Sequence, residues 1–164
     1  MRFLTTQRRL GRRAFTLIEL LIALVILSVL ASAVLPMAEV TVRRTKEIEL
    51  HRALREIRTA IDAYKADHDE AVKQKKIIPE LTDNGYPESL EILVEGDDWG
   101  GLYEYKRKYL RRIPRDPFDE FEDGWGMRAY ADEPDSTVYG GGDVFDVYSQ
   151  SDRTGLDGTP YREW

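Results

Sequence analysis

The run from Phe15 to Leu35 constrains this chain more than any other stretch: Leu, Ile, Val and Ala with only Thr16, Ser28 and Ser32 as mild polar breaks, and one acid, Glu19. About 21 such residues wind into a helix long enough to cross a hydrocarbon core. A core helix of a soluble domain seldom stays apolar all the way round for that length. The expectation is therefore a segment inserted in a membrane. Arg2, Arg8, Arg9, Arg12 and Arg13 precede it with no acid among the first fourteen residues. That excess holds the N-terminus on the cytoplasmic side. Removing those five positive charges from a net charge of -6 leaves -11 on the rest of the chain. An acidic body of this kind repels phosphate, so nucleic acid is excluded as a partner, whereas divalent cations are attracted. No cysteine is present, so disulfides and thiolate metal sites are excluded too.

Three accounts of the apolar run remain open from its residues. Ala31-Ser32-Ala33 has the small-x-small form of a signal peptidase site, and cleavage there would release a soluble domain beginning at Val34. An uncleaved anchor explains the length. Neither gives Glu19 a purpose, although a carboxylate at the centre of a membrane helix costs about 2.5–3.5 kcal/mol on insertion scales. Snorkelling of Glu19 to the interface is the plain structural alternative.

The stretch "AFTLIELLIALVIL" resembles the class III signal of type IV pilins and pseudopilins. The resemblance implies cleavage by prepilin peptidase between Ala14 and Phe15, followed by N-methylation of Phe15. Ala14 stands where the family has glycine; Glu19 matches its acid, and Pro36 its helix-bending proline. It also implies that Glu19 of one subunit meets the terminal amine of Phe15 on its neighbour as a filament grows. A charge removed from water is tolerable when so paired, and an unpaired one costs roughly 3–5 kcal/mol, so the pair sets subunit register.

Beyond Pro36 the pattern stays helical but becomes amphipathic. Leu50, Leu54, Ile57, Ile61, Tyr64 and His68 recur at steps of four and three, and Arg52, Arg55, Glu56, Arg58, Asp62 and Lys65 lie between them as a solvated face. The helix is expected to end before Pro79, and Pro36 to kink it. Asn84-Gly85 and Pro87 mark a turn, Ser89–Val94 a short helix, and Pro114 and Pro117 an irregular stretch. "WGMRAYA" and "DVFDVYS" alternate as strands do, with a glycine connector at 140–142. The fold class is α+β: a long N-terminal helix against a small antiparallel sheet of two to four strands. The domain reading is 1–14 as a removable basic leader, 15–36 as the transmembrane half of the helix, and 37–164 as a periplasmic pilin-like domain.

"GYPESLEILV", "YLRRIPRDPF", "WGMRAYA" and "GGDVFDVYSQSD" follow in order the pattern of the major pseudopilin of type II secretion systems. That resemblance implies a structural subunit of the bacterial inner membrane, single-pass, polymerising with itself and meeting minor pseudopilins and an inner-membrane assembly platform. It implies calcium in the loop after the last strand, with Asp152 matching the first acid and Asp157 a later one; Gly158 stands where a second adjacent acid would be. Turn formation alone accounts for the same residues. The acids Asp116, Asp119, Glu120, Glu122 and Asp123 read as a solvated loop. His51 and His68 fall on the helix without zinc spacing, and the glycine run lacks the lysine of a phosphate loop, so no enzyme is expected. A type IV pilin, a minor pseudopilin and an exported soluble binding domain are the alternatives.

Overall fold

The computed structural model describes residues 15–79, 84–120 and 123–164, with the side chains of Ala33, Leu35 and Pro36 outside that description. The chain is α+β: helix α1 (Leu17–Lys73), helix α2 (Leu90–Glu95), strands β1 (Trp125–Arg128) and β2 (Asp146–Ser149), and a closing 3₁₀ turn (Tyr161–Glu163). Two compact units divide between Val42 and Arg43. Met37, Val40 and Val42 are exposed, which fits their falling on the first unit's side.

In the first unit the helix is apolar on every side. Leu17, Leu24, Leu30 and Val34 are all more than half exposed. It is long and apolar enough to cross a membrane. Its hydroxyls are satisfied within the helix: Ser28 donates to the Leu24 carbonyl at 2.8 Å and Ser32 to that of Val29 at 2.8 Å. This back-bonding removes donors that lipid could not serve. The helical assignment runs on through position 36; the expected kink depends on Pro36, whose side chain lies outside the described residues.

In the second unit the expected stripe is the core. Leu50, Leu54, Ile57 and Ile61 are fully buried, and Tyr64 and His68 nearly so. Each aliphatic side chain so buried stabilises the fold by about 1.5–3 kcal/mol. α1 ends in a Schellman motif. Lys76 N–H reaches the Ala71 carbonyl and Lys75 N–H that of Val72, both at 2.9 Å, with Lys75 left-handed at φ 57°. Leu90 and Leu93 of α2 enter the same core as Trp99, Leu110, Phe118, Trp125, Val144, Val147 and Tyr161.

The strands pair antiparallel, Trp125 opposite Ser149 and Arg128 opposite Asp146. The simple alternation expected for β1 does not hold: Arg128 is buried and Met127 only half so. Arg128 is kept inside by Asp146 at 3.3 Å and by the carbonyls of Ser136 and Arg162 at 2.9 and 3.2 Å. A buried guanidinium is acceptable when its donors are used. Arg58 departs similarly from the solvated face. It donates to Asp146 at 2.6 Å, to the Val147 carbonyl at 3.0 Å and to the Trp164 carbonyl at 2.7 Å. One helix residue thus ties α1 to β2 and to the closing turn.

Candidate functional site

The first residues of α1 are built as a helix start. Thr16 precedes the first helical residue, and its hydroxyl accepts the Glu19 N–H at 3.3 Å. Its carbonyl accepts the Leu20 N–H at 3.2 Å. Threonine followed three residues later by glutamate is the capping-box spacing, and an acid in the first turn is favoured by the helix dipole. Thr16, read from sequence as a mild polar break, is therefore the cap of the apolar helix, and the T-x-x-E pattern was the signal for it. Phe15 lies just outside the helix and is exposed. Phe15 and Glu19 thus sit at one end of the apolar helix, one before and one inside its first turn. Ala14, the other expected cleavage residue, lies outside the described residues.

The C-terminal loop is fastened to α1 by a group that sequence reasoning passed over. Glu47 Oε1 accepts the Leu156 N–H at 2.8 Å and the Tyr161 hydroxyl at 2.9 Å. Arg43 Nε donates to the same Tyr161 oxygen at 3.3 Å. Burial raises the Tyr161 phenol, Arg43 opposes that, and Glu47 adds to it. Tyr161 stacks on Phe118 with centroids 4.1 Å apart, and Trp164 lies flat against His51 at the same separation. Nothing local in "VRRTKEIE" signals this role, because the partners lie more than a hundred residues downstream.

Within that loop, Asp157 Oδ1 accepts the Thr159 N–H at 2.9 Å, and Gly158 has φ 90°. Asp152 borders a depression of about 290 Å³ with Asp119, Glu120, Asp123 and Arg153; Glu122 lies outside the described residues. Arg153 pairs with Glu120, and Asp119 accepts the N–H groups of Asp123 and Gly124. Among the described residues no three acids, histidines or cysteines gather closely enough to hold a metal. Calcium takes six to eight oxygens, so at Asp152 and Asp157 it would draw mainly on carbonyls of the turn and on water.

A third cluster holds the segment from Trp99 to Tyr109 against α1. Asp67, buried on α1, accepts the hydroxyls of Tyr103 and Tyr109 at 2.9 and 2.6 Å and Arg107 at 3.0 Å. Trp99 donates its indole N–H to the Tyr109 hydroxyl at 2.7 Å. Burial, then the bond to Asp67, pushes the Tyr109 phenol far above its usual value. His68, on the same stripe, packs edge-on against Trp99.

Residues 9–35 match the family described as the prokaryotic N-terminal methylation motif. The N-terminus carries the motif of prepilin-type substrates. The match takes in Arg9, Arg12, Arg13, Phe15, Glu19 and the apolar helix up to Leu35, and supports placement in the type IV pilin-like superfamily. The motif marks structural, pilin-like proteins and implies processing by a prepilin peptidase and pilus-like assembly. Together with the apolar helix it fits an inner-membrane anchor. No curated protein and no solved structure matches the chain.

Proposed function

We propose that this prepilin-type protein is the major structural subunit of a type II secretion pseudopilus, and that it has no catalytic function of its own. The observation that carries the reading is the methylation motif over residues 9–35, coincident with a helix that starts at Leu17 and bears Glu19 in its first turn. Cleavage after Ala14 frees an amine on Phe15. In lipid that ammonium group needs a counter-charge, and Glu19 of an adjoining copy supplies one. The segments "YLRRIPRDPF" and "GGDVFDVYSQSD" favour a pseudopilin over a type IV pilin. Minor pseudopilins, the assembly platform and export of folded proteins belong to this proposal, as does a periplasmic position for residues 37–164.

Mass spectrometry of the mature N-terminus tests it. The expected result is N-methyl-Phe15. A chain beginning at Val34 overturns it in favour of an exported soluble domain. Glu19→Gln is expected to abolish polymer while leaving the chain in the membrane. Polymer without any effect of its loss on protein export would instead indicate a type IV pilin. Calcium at Asp152 and Asp157 is a subsidiary proposal. Millimolar calcium is expected to raise the melting temperature of the wild type and not of Asp152→Ala; an equal shift in both removes it.

A further inference from the structure

A broad depression in the second unit lies between the outward side of α1 and the segment from Tyr109 to Arg112. It measures about 1290 Å³. Arg52 and Arg55 line it from the helix, and Arg111 and Arg112 from the opposite wall. Ala60 and Leu110, both buried, form part of its floor. Glu56 is the acid on the lining, so the trough keeps an excess of three positive charges in a chain whose net charge is -6. All four arginines are exposed. Arg55 bonds the His51 carbonyl at 3.4 Å, and no ion pair engages any of the four among the described residues. Guanidinium groups rimming an apolar floor are suited to carboxylates presented on a short apolar ridge.

The same unit presents such a ridge. Glu91 and Glu95 are four residues apart on the solvent side of α2, with Leu90 and Leu93 buried beneath and Glu88 just before. Ile92 and Val94 are half-buried between them. None of these three glutamates makes an ion pair among the described residues. The ridge and the trough flank one seam: the Leu93 carbonyl accepts the N–H groups of both Tyr109 and Leu110 at 2.9 Å. Opposite charges on two sides of one seam complement each other between copies, head to tail. Such a contact is heterologous and need not close. The apolar helix confines all copies to one membrane, which raises their effective concentration.

We infer that the trough lined by Arg52, Arg55, Arg111 and Arg112 receives the α2 ridge, Glu88, Glu91 and Glu95, of a second copy of this chain. The inference rests on the assembling subunit proposed above and names the contact that its second unit makes. Several exposed charge pairs acting together govern encounter and register more than raw affinity. The contact therefore weakens with salt.

The chain has no cysteine, so introduced pairs report contact directly. Full-length Glu91→Cys and Arg112→Cys chains, separately tagged and co-expressed in membranes, are expected to cross-link to each other under mild oxidation. Each alone is not expected to cross-link. In this background Arg52→Glu with Arg111→Glu is expected to cut cross-linking by about tenfold, and adding Glu88→Arg with Glu95→Arg to restore it. Melting temperatures near that of the wild type exclude misfolding as the cause. No cross-linking between the two partners, or cross-linking indifferent to charge reversal, overturns the inference. If cross-linking fails while Glu19→Gln still abolishes polymer, this contact is wrong and the proposed function stands. If the paired cross-link forms in chains whose mature N-terminus is Val34, the contact stands and the filament reading falls.

Discussion

The two halves of α1 share a helix and differ in almost everything that surrounds it. From Leu17 to Val34 the large apolar side chains are more than half exposed, whichever way they point. From Leu50 to Ile61 they are fully buried and confined to one stripe. The first half therefore awaits a solvent or partner that the chain does not contain, whereas the second is covered by the chain's own later segments. Similar residues carry opposite meanings because hydrophobic stabilisation depends on what removes the surface from water. In the first half polar groups are satisfied locally, by Ser28, Ser32 and Thr16 bonding within the helix. In the second they are satisfied at long range, by Glu47, Arg58 and Asp67 reaching loops far downstream.

The strongest way to break this contrast is to remove equal volume from each half. Leu54→Ala is expected to destabilise the second unit by about 2–5 kcal/mol, because a fully buried site leaves a cavity. Leu24→Ala is expected to leave the unfolding of that unit unchanged. Denaturant unfolding in detergent micelles reads both, and equal losses would erase the distinction. Next in size, Arg58→Ala leaves Asp146 and two carbonyls short of a donor. A loss of about 1–3 kcal/mol is expected. Arg52→Ala, on the exposed side of the same helix, is expected to cost almost nothing. Thr16→Ala tests the local economy of the first half. It is expected to cost about 1 kcal/mol of helix stability and to speed amide exchange at Glu19 without affecting exchange at Ile57.

The smallest effect appears with pH. The phenol of Tyr109 is raised from 10.0 by burial and by Asp67, and those of Tyr86, Tyr139 and Tyr161 are raised chiefly by burial. A phenol whose folded value is raised binds its proton more tightly in the folded state. Its contribution is fully present below the unfolded value and lost as pH rises through the folded one. Melting temperature is therefore expected to fall as pH climbs above 10, and Tyr109→Phe to make that fall shallower. An unchanged alkaline slope in the variant would remove Tyr109 from this account.

Much of this architecture was legible along the chain. Continuous apolarity marks the half that is exposed on every side, and the four-and-three spacing from Leu50 to His68 marks the buried stripe, since 3.6 residues per turn bring those positions to one side. Glu19 stands out because a lone acid in an apolar run has few physical uses. Thr16 was legible and passed over, its capping pattern lying inside the apolar run. Arg58 and Arg128 were not legible. Both read as solvent-facing from their neighbours, and both are held by Asp146, 88 residues from Arg58 and 18 from Arg128.

By itself the sequence determined the helix, its division into an all-round apolar half and a one-sided half, and the lone acid near its start. These depend on backbone periodicity and on the cost of placing charge in lipid, which act within a few turns. Only the tertiary structure decided which polar side chains go inside, how Glu47 and Asp67 fasten the loops, and that four arginines end up around one trough. Such choices depend on which distant groups meet once the chain has closed on itself, and spacing along the chain carries no record of that.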